Sequence, residues 1–332
     1  MVEVEERAED HDGPSEIIAW PQTPVYNLAA SPRELSRINV SELQSEVRDN
    51  FCRHARWCAD GSSVLTISED RIIRVFDTPT SSDNVAGPSV SSPRTFAQPD
   101  AIHATAWFPS ATVLASETFC FAASIRDTPV RLVDATDGRI RATYPIIDHR
   151  ERMIAPHSLA WNPTATKLYC GHESAIEVLD IASPGEAGER WKTSYTRKEK
   201  GNQKGIISTL AFCPDYSGLF AAGSFAGNVS LYSEDTGSTA VAHLEGIKGG
   251  GVTQVAFHPL SPQTLFVASR RCNVIQVFDT RNPSSGPFME IERKGMSNQR
   301  IWFDVDPWGR YLASGDEVNI IPALHSYEVA DT

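Results

Sequence analysis

Cysteine is scarce and lacks any paired spacing. Of 332 residues only six are cysteine, Cys52, Cys58, Cys120, Cys170, Cys213 and Cys272, and no two form Cys-x-x-Cys. Most lie in apolar, strand-like strings such as KLYCG and LAFCP. That pattern reads as buried free thiols in a reducing compartment. No apolar run is long enough to span a bilayer. The N-terminal string MVEVEERAEDHD has neither the basic start nor the apolar core of a secretory signal, so an intracellular protein is expected. Positive charge is in deficit: 30 Lys and Arg stand against 42 Asp and Glu, a net charge of −12. Such a chain repels phosphate backbones, so nucleic-acid contact would need a local basic patch. No amphipathic helical pattern alternates with the strand-like strings, which argues against βαβ folds.

Catalytic signatures are also missing. There is no G-x-S-x-G nucleophile elbow and no H-E-x-x-H zinc motif. GIKGGG at 246–251 is glycine-rich, but it lacks the G-x-x-x-x-G-K-[ST] register and precedes a strand. Cys52, His54 and Cys58 would share one face of an extended strand. Three ligand-type residues on a single strand rarely close around a metal, and no metal site is expected. His157 and His258 occupy strand ends, where structural roles dominate. Asp304 and Asp306 have the look of an acid–base pair but belong to the FDVDP turn. No enzyme activity, cofactor or small-molecule substrate is expected.

What the chain has is a repeat. Each copy is an apolar strand closing on aromatic-x-Pro, a polar turn, a short strand ending in small residues, and a β-branched strand ending in Asp or Ser. The copies are FCRHARWCADG/SVLTIS/RIIRVFD, IHATAWFPS/FCFAAS/VRLVDA, HSLAWNPT/KLYCG/AIEVLD, IISTLAFCPD/LFAAGS/VSLYS and VTQVAFHPL/LFVAS/VIQVFD. A sixth, IWFDVDPWG/YLASG, lacks its third strand. Pro109, Pro163, Pro214, Pro259 and Pro307 mark the period, with Ala59 in the same slot of the first copy, and recur every 45 to 54 residues. GRIRATYP and STAVAHL are candidate fourth strands. A period of this length with three visible strands per copy fits an all-β, WD40-type β-propeller with five marked blades and a truncated sixth. The small residues Ala222, Gly223 and Ser224, and Ala268 and Ser269, mark where neighbouring blades should approach closely.

Outside the repeat, residues 1–45 read as an acidic, irregular N-terminal arm, and residues 46–332 as the propeller. The Ser/Pro-rich stretch 78–100 reads as a flexible loop from the rim. The most basic stretch is SPGEAGERWKTSYTRKEKGNQKG, 183–205. It holds Arg190, Lys192, Arg197, Lys198, Lys200 and Lys204, interleaved with Trp191 and Tyr195. Its cations could neutralise phosphates while a ring stacks on a base; a solvated hairpin with partly buried aromatics is the alternative.

Several strings are more specific than a generic propeller. DHRERMIAPHSLAWNPTATKLYCG, KGIISTLAFCPD, LFAAGSFAGNVSLY, GGGVTQVAFHP and SNQRIWFDVDPWGRYLASG occur in one order, after NFCRHARWCADGSSVLTISEDRIIRVFD. Together they resemble the telomerase Cajal-body WD40 protein family over about residues 50–315. Gly205-Ile206-Ile207-Ser208 and Asn298-Gln299-Arg300 are the most distinctive strings. Trp-Asp endings are replaced by Phe76-Asp77, Leu179-Asp180 and Phe278-Asp279.

The resemblance implies a scaffold for ribonucleoprotein particles. It would bind small Cajal-body RNA or telomerase-type RNA, associate with H/ACA ribonucleoproteins, and reside in the nucleus, in Cajal bodies or nucleoplasm, with the cytoplasm also open. A diverged fungal relative of the family is linked to pre-mRNA splicing, so a splicing-associated protein adaptor without direct RNA binding is the alternative. RNA loops are read by stacking and by hydrogen bonds to splayed bases. Asn298, Gln299 and Arg300 are the candidate contacts, with Arg197, Lys198, Lys200 and Lys204 from the basic stretch. The alternative for Asn298 and Arg300 is to brace blades through hydrogen bonds. The family's propeller is expected to have seven blades. Here the repeat stops after YLASGD, and EVNIIPALHSYEVADT matches no copy, as expected of a fragment, a shortened isoform or a mispredicted gene product.

Overall fold

A computed structural model describes residues 47, 50–78, 92–194 and 202–317, and the backbone of 323–326. All of them lie in the unit Glu34–Thr332. The arm expected over 1–45 lies outside the described residues.

The repeat becomes antiparallel sheets in which sequence neighbours pair in order. Blade one is β1 (Cys52–Trp57), β2 (Ser63–Ser68), β3 (Ile72–Asp77) and β4 (Arg94–Ala97). Blade two is β5 (Ile102–Trp107), β6 (Cys120–Ile125), β7 (Val130–Asp134) and β8 (Ile140–Tyr144). Blade three is β9 (Ser158–Trp161), β10 (Lys167–His172), β11 (Ala175–Asp180) and β12 (Glu189–Lys192). Blade four is β13 (Ile207–Phe212), β14 (Leu219–Ser224), β15 (Val229–Ser233) and β16 (Ala242–His243). Blade five is β17 (Val252–Phe257), β18 (Thr264–Ser269), β19 (Val274–Asp279) and β20 (Met289–Glu292). The sixth sheet has three strands: β21 (Phe303–Val305), β22 (Tyr311–Ser314) and β23 (Ala323–Ser326). The blades are arranged as a WD40-type β-propeller, the architecture the repeat implies. Among the described residues no helix is long and apolar enough to cross a membrane.

Two expectations change, and one open alternative is decided. The third strand of the sixth copy is present as β23, although its sequence follows no repeat string. It pairs with β22 through Tyr311–Ser326 to Ser314–Ala323; backbone pairing needs no side-chain motif. The end of the Ser/Pro-rich stretch is strand β4, which continues blade one from Ile72–Ala97 to Val75–Arg94. The basic stretch supplies β12, and its Trp191 is buried against Tyr169 and Phe220. Arg190 there pairs with Glu177 at 2.7 Å. Trp191 is therefore core rather than a stacking platform.

Burial explains the arrangement. One sheet cannot cover both of its apolar faces, and stacking sheets radially does so. Each hydrophobic cluster spans two consecutive blades: Leu65 and Val75 meet Phe121 and Ile125, and Phe266 and Val277 meet Phe303 and Leu312. The small residues sit where expected. A Cβ on Gly223 would lie 2.6 Å from Val252 Cγ1, and one on Gly171 would lie 2.7 Å from Ile207 Cγ2, so the next blade's first strand packs directly on the glycine. Five cysteines are buried, and Cys52 is exposed.

The first strands of blades one, two, four and five share a register break after their first residue. Arg53, His103, Ser208 and Thr253 are each left out of the pairing. A bulge of this kind re-aims a side chain and releases a residue from the ladder. Side chains then tie each first strand to the next. Ser158 Oγ donates to the Ile207 carbonyl at 2.9 Å, and Ser208 Oγ to that of Val252 at 2.6 Å. Gln254 donates to the Phe303 carbonyl at 2.7 Å and accepts from the Phe303 amide at 3.0 Å.

Candidate nucleic-acid interface

Strand alternation sorts the loops to two ends. The heads of the first strands and the turns between second and third strands share one end; the other two sets of turns share the opposite end. The first end gathers Arg53, His54, His103 and His157 from the strand heads, and Phe225 and Arg270 from the turns of blades four and five. The segment leading into β21 brings Arg300 and Trp302 to them.

Contacts define the cluster. The Arg270 guanidinium lies 4.2 Å from the centre of the Phe225 ring, and that of Arg300 lies 5.0 Å from it. Arg300 is also 5.8 Å, and Arg56 5.7 Å, from the Trp302 ring. Trp302 packs on His54 with ring centres 4.3 Å apart, and its Nε1–H donates to the Arg53 carbonyl at 3.3 Å. Arg300 donates to the Ser208 carbonyl at 3.1 Å. Both acceptors are bulge residues, free to serve because the ladder skips them. His103 stacks on His157 at 4.5 Å.

The glycine run GIKGGG has a packing reason. A Cβ on Gly249 would lie 2.5 Å from the Arg270 carbonyl, and one on Gly251 would lie 2.7 Å from that of Phe225. Gly251 also has φ +138°, a backbone that side chains disfavour. The run threads between the two turns and holds Phe225 and Arg270 side by side.

Positive charge dominates the cluster. Burial, then Arg270 and Arg53, pull Arg300 down to about 10. Burial lowers Arg270 as well. Among the described residues neither is ion-paired with a carboxylate. Arg53 does have one, Glu69 at 2.5 Å. Burial, helped by Arg56 and Arg300, pushes His54 down to about 3; burial, His103, Arg300 and His172 take His157 to about 4. Both imidazoles are neutral near pH 7. At the opposite end the turns expose Asp60, Glu117, Asp180, Asp215 and Asp235.

Of the residues singled out in the sequence, Arg300 is at the centre of this cluster. Asn298 and Gln299 precede it on the same segment and are exposed. Lys204 is half-buried at the head of blade four. Arg197, Lys198 and Lys200 lie outside the described residues. Sequence reasoning missed Arg53, Phe225, Arg270 and Trp302. The available signal was positional: Phe225 and Arg270 each follow the small residues that end a second strand. His258 has the structural role expected of it, its Nε2 meeting the Gly309 carbonyl at 3.0 Å. Asp306 likewise accepts from the Tyr311 amide at 2.7 Å within its turn.

No family model matches the chain. Curated relatives do. Telomerase Cajal body protein 1 of Mus musculus is 30% identical over 321 residues, covering 96% of this chain and 57% of the mouse protein. The Homo sapiens protein of the same name is 32% identical over 294 residues, 87% of this chain and 52% of its own. A Schizosaccharomyces pombe protein, named Guanine nucleotide-binding protein negative regulator 1, is 27% identical over 281 residues, covering 82% and 70%. The chain spans about half the length of the mammalian relatives it matches. By likeness along most of its length, the chain is a homologue of the proteins named Telomerase Cajal body protein 1.

Proposed function

We propose that this chain is a non-catalytic scaffold for ribonucleoprotein assembly or localisation, with RNA received at the arginine-rich end of the propeller. The observation that carries the reading is the Arg270–Arg300 pair, two guanidiniums on one aromatic ring with no carboxylate partner among the described residues. Arginine and an aromatic ring together suit single-stranded RNA, whose phosphates need cations and whose bases need flat surfaces. The relatives' printed name, Telomerase Cajal body protein 1, supports telomerase and the Cajal body as the setting and the nucleus as the compartment; on this reading the ligand is small Cajal-body or telomerase-type RNA and the partners are H/ACA ribonucleoproteins. Asn298 and Gln299 supply base-edge contacts beside Arg300, and Lys204 adds charge at the same end.

The test is anisotropy with a labelled small structured RNA at several salt concentrations. Binding should weaken steeply with salt, and Arg300→Glu should weaken it further. Unchanged affinity in Arg300→Glu, with protein partners that persist after RNase, would replace this reading with a protein-only adaptor.

A further inference from the structure

We infer that Arg270 and Arg300 form a phosphodiester site at Phe225, and that filling it stiffens the bridge Trp302 makes between blades six and one. The inference rests on the RNA reading for its ligand and on geometry for its place.

Two guanidiniums at one ring repel each other, and the attraction of each to the ring face only partly offsets this. Arg270 Nε–H is buried without an acceptor. A buried donor left unpaired is costly, which makes it unusual in a finished structure. Among the described residues the Ser208 carbonyl is the one hydrogen-bond acceptor of the Arg300 guanidinium, so further N–H groups are available. An anionic oxygen supplies both missing elements, an acceptor for Arg270 and a counter-charge for the pair. Arginine binds phosphate through a planar fork of donors. The glycine run keeps Phe225 and Arg270 together before any ligand arrives.

The second half follows from chain connectivity. Arg300 and Trp302 are two residues apart on one segment. Arg300 ties that segment to blade four, and Trp302 ties it to blade one. A phosphate that removes the repulsion between Arg270 and Arg300 therefore holds the whole segment, and with it the ring of Trp302 on His54.

The experiment uses the full chain and a labelled single-stranded oligouridine, followed by anisotropy and by tryptophan emission, with inorganic phosphate as a second titrant. Arg270→Gln should weaken RNA binding about tenfold and make the log–log salt slope shallower by about 0.7, the loss of one phosphate contact. The Arg270 side chain makes no hydrogen bond among the described residues, so this variant should stay folded, which a melt checks. Arg281→Gln, at the opposite end of blade five, should change neither quantity. The emission change on binding should be absent in Trp302→Phe. RNA binding with unchanged affinity and slope in Arg270→Gln overturns the site and leaves the scaffold reading standing. Phosphate that alters emission in the wild type but not in Arg270→Gln, with no RNA binding, supports the site and removes its RNA ligand. No response to either titrant overturns both.

Discussion

Arg300 donates a hydrogen bond at 3.1 Å to the carbonyl of Ser208, 92 residues earlier, and Ser208 can accept it because a bulge excludes that residue from the strand ladder. The two strings most distinctive in the sequence, Gly205-Ile206-Ile207-Ser208 and Asn298-Gln299-Arg300, therefore meet in one bond. Of the two readings of Arg300, this bond supplies the brace, and the ligand contact is the proposal made above. Its bond to blade four fixes the guanidinium while leaving donors for a ligand.

Replacing Arg300 with Gln should cost stability as well as binding. A hydrogen bond from a charged donor is worth about 1.5–3 kcal/mol, and the half-exposed setting favours the lower end. Denaturant unfolding should show a loss of about 1.5 kcal/mol. A loss below a few tenths would mean the bond contributes little to the fold.

Gly223→Ala should destabilise the junction of blades four and five. The added Cβ would lie 2.6 Å from Val252 Cγ1 and 2.7 Å from Thr209 Cγ2, so the inner strand of blade five must shift. Overpacking of this kind costs about 1–3 kcal/mol. Thermal unfolding measures it. Gly61→Ala makes a useful contrast: it has open space around it, though its φ of +72° carries its own strain.

Gln254→Leu should loosen blade six selectively. The amide makes two bonds to the Phe303 backbone, and leucine makes neither, leaving a buried amide and a buried carbonyl unpaired. Limited proteolysis should cut the 295–302 segment faster in this variant than in the wild type, while fragments from blades two to four persist. Cleavage at an unchanged rate would show that apolar packing alone seats the blade.

Stability should decline as pH falls from about 6.5 toward 4. His54 and His157 are held at about 3 and about 4, below the ordinary 6.5. The unfolded chain therefore binds protons in that window that the folded chain refuses, and protonation favours unfolding. The histidine contribution is fully present above pH 6.5. His54→Gln should flatten the pH dependence of the unfolding midpoint; an identical slope would assign the effect to other groups.

Much of this architecture is legible in the residues themselves. Strand strings, their period and the small residues at second-strand ends are local or repeated signals, and local chemistry produces them. Gly223 could be read because its role recurs in Gly171. β4 and β23 could not, since a strand held by backbone bonds at a sheet's outer side needs little from its side chains. Trp191 could not be placed, for the opposite reason. Its neighbours in sequence are basic, but its neighbours in space are Tyr169 and Phe220.

The sequence by itself determined the blades, because each needs only its own short strands and turns. The tertiary structure decided the rest of the candidate site around Arg300. Arg53, Phe225, Arg270 and Arg300 come from different parts of the chain, and no stretch of sequence is basic because of them. Radial stacking brings the strand heads together, and the bulges at Arg53 and Ser208 leave carbonyls there for Trp302 and Arg300. An arginine cluster on an acidic chain is a property of that packing.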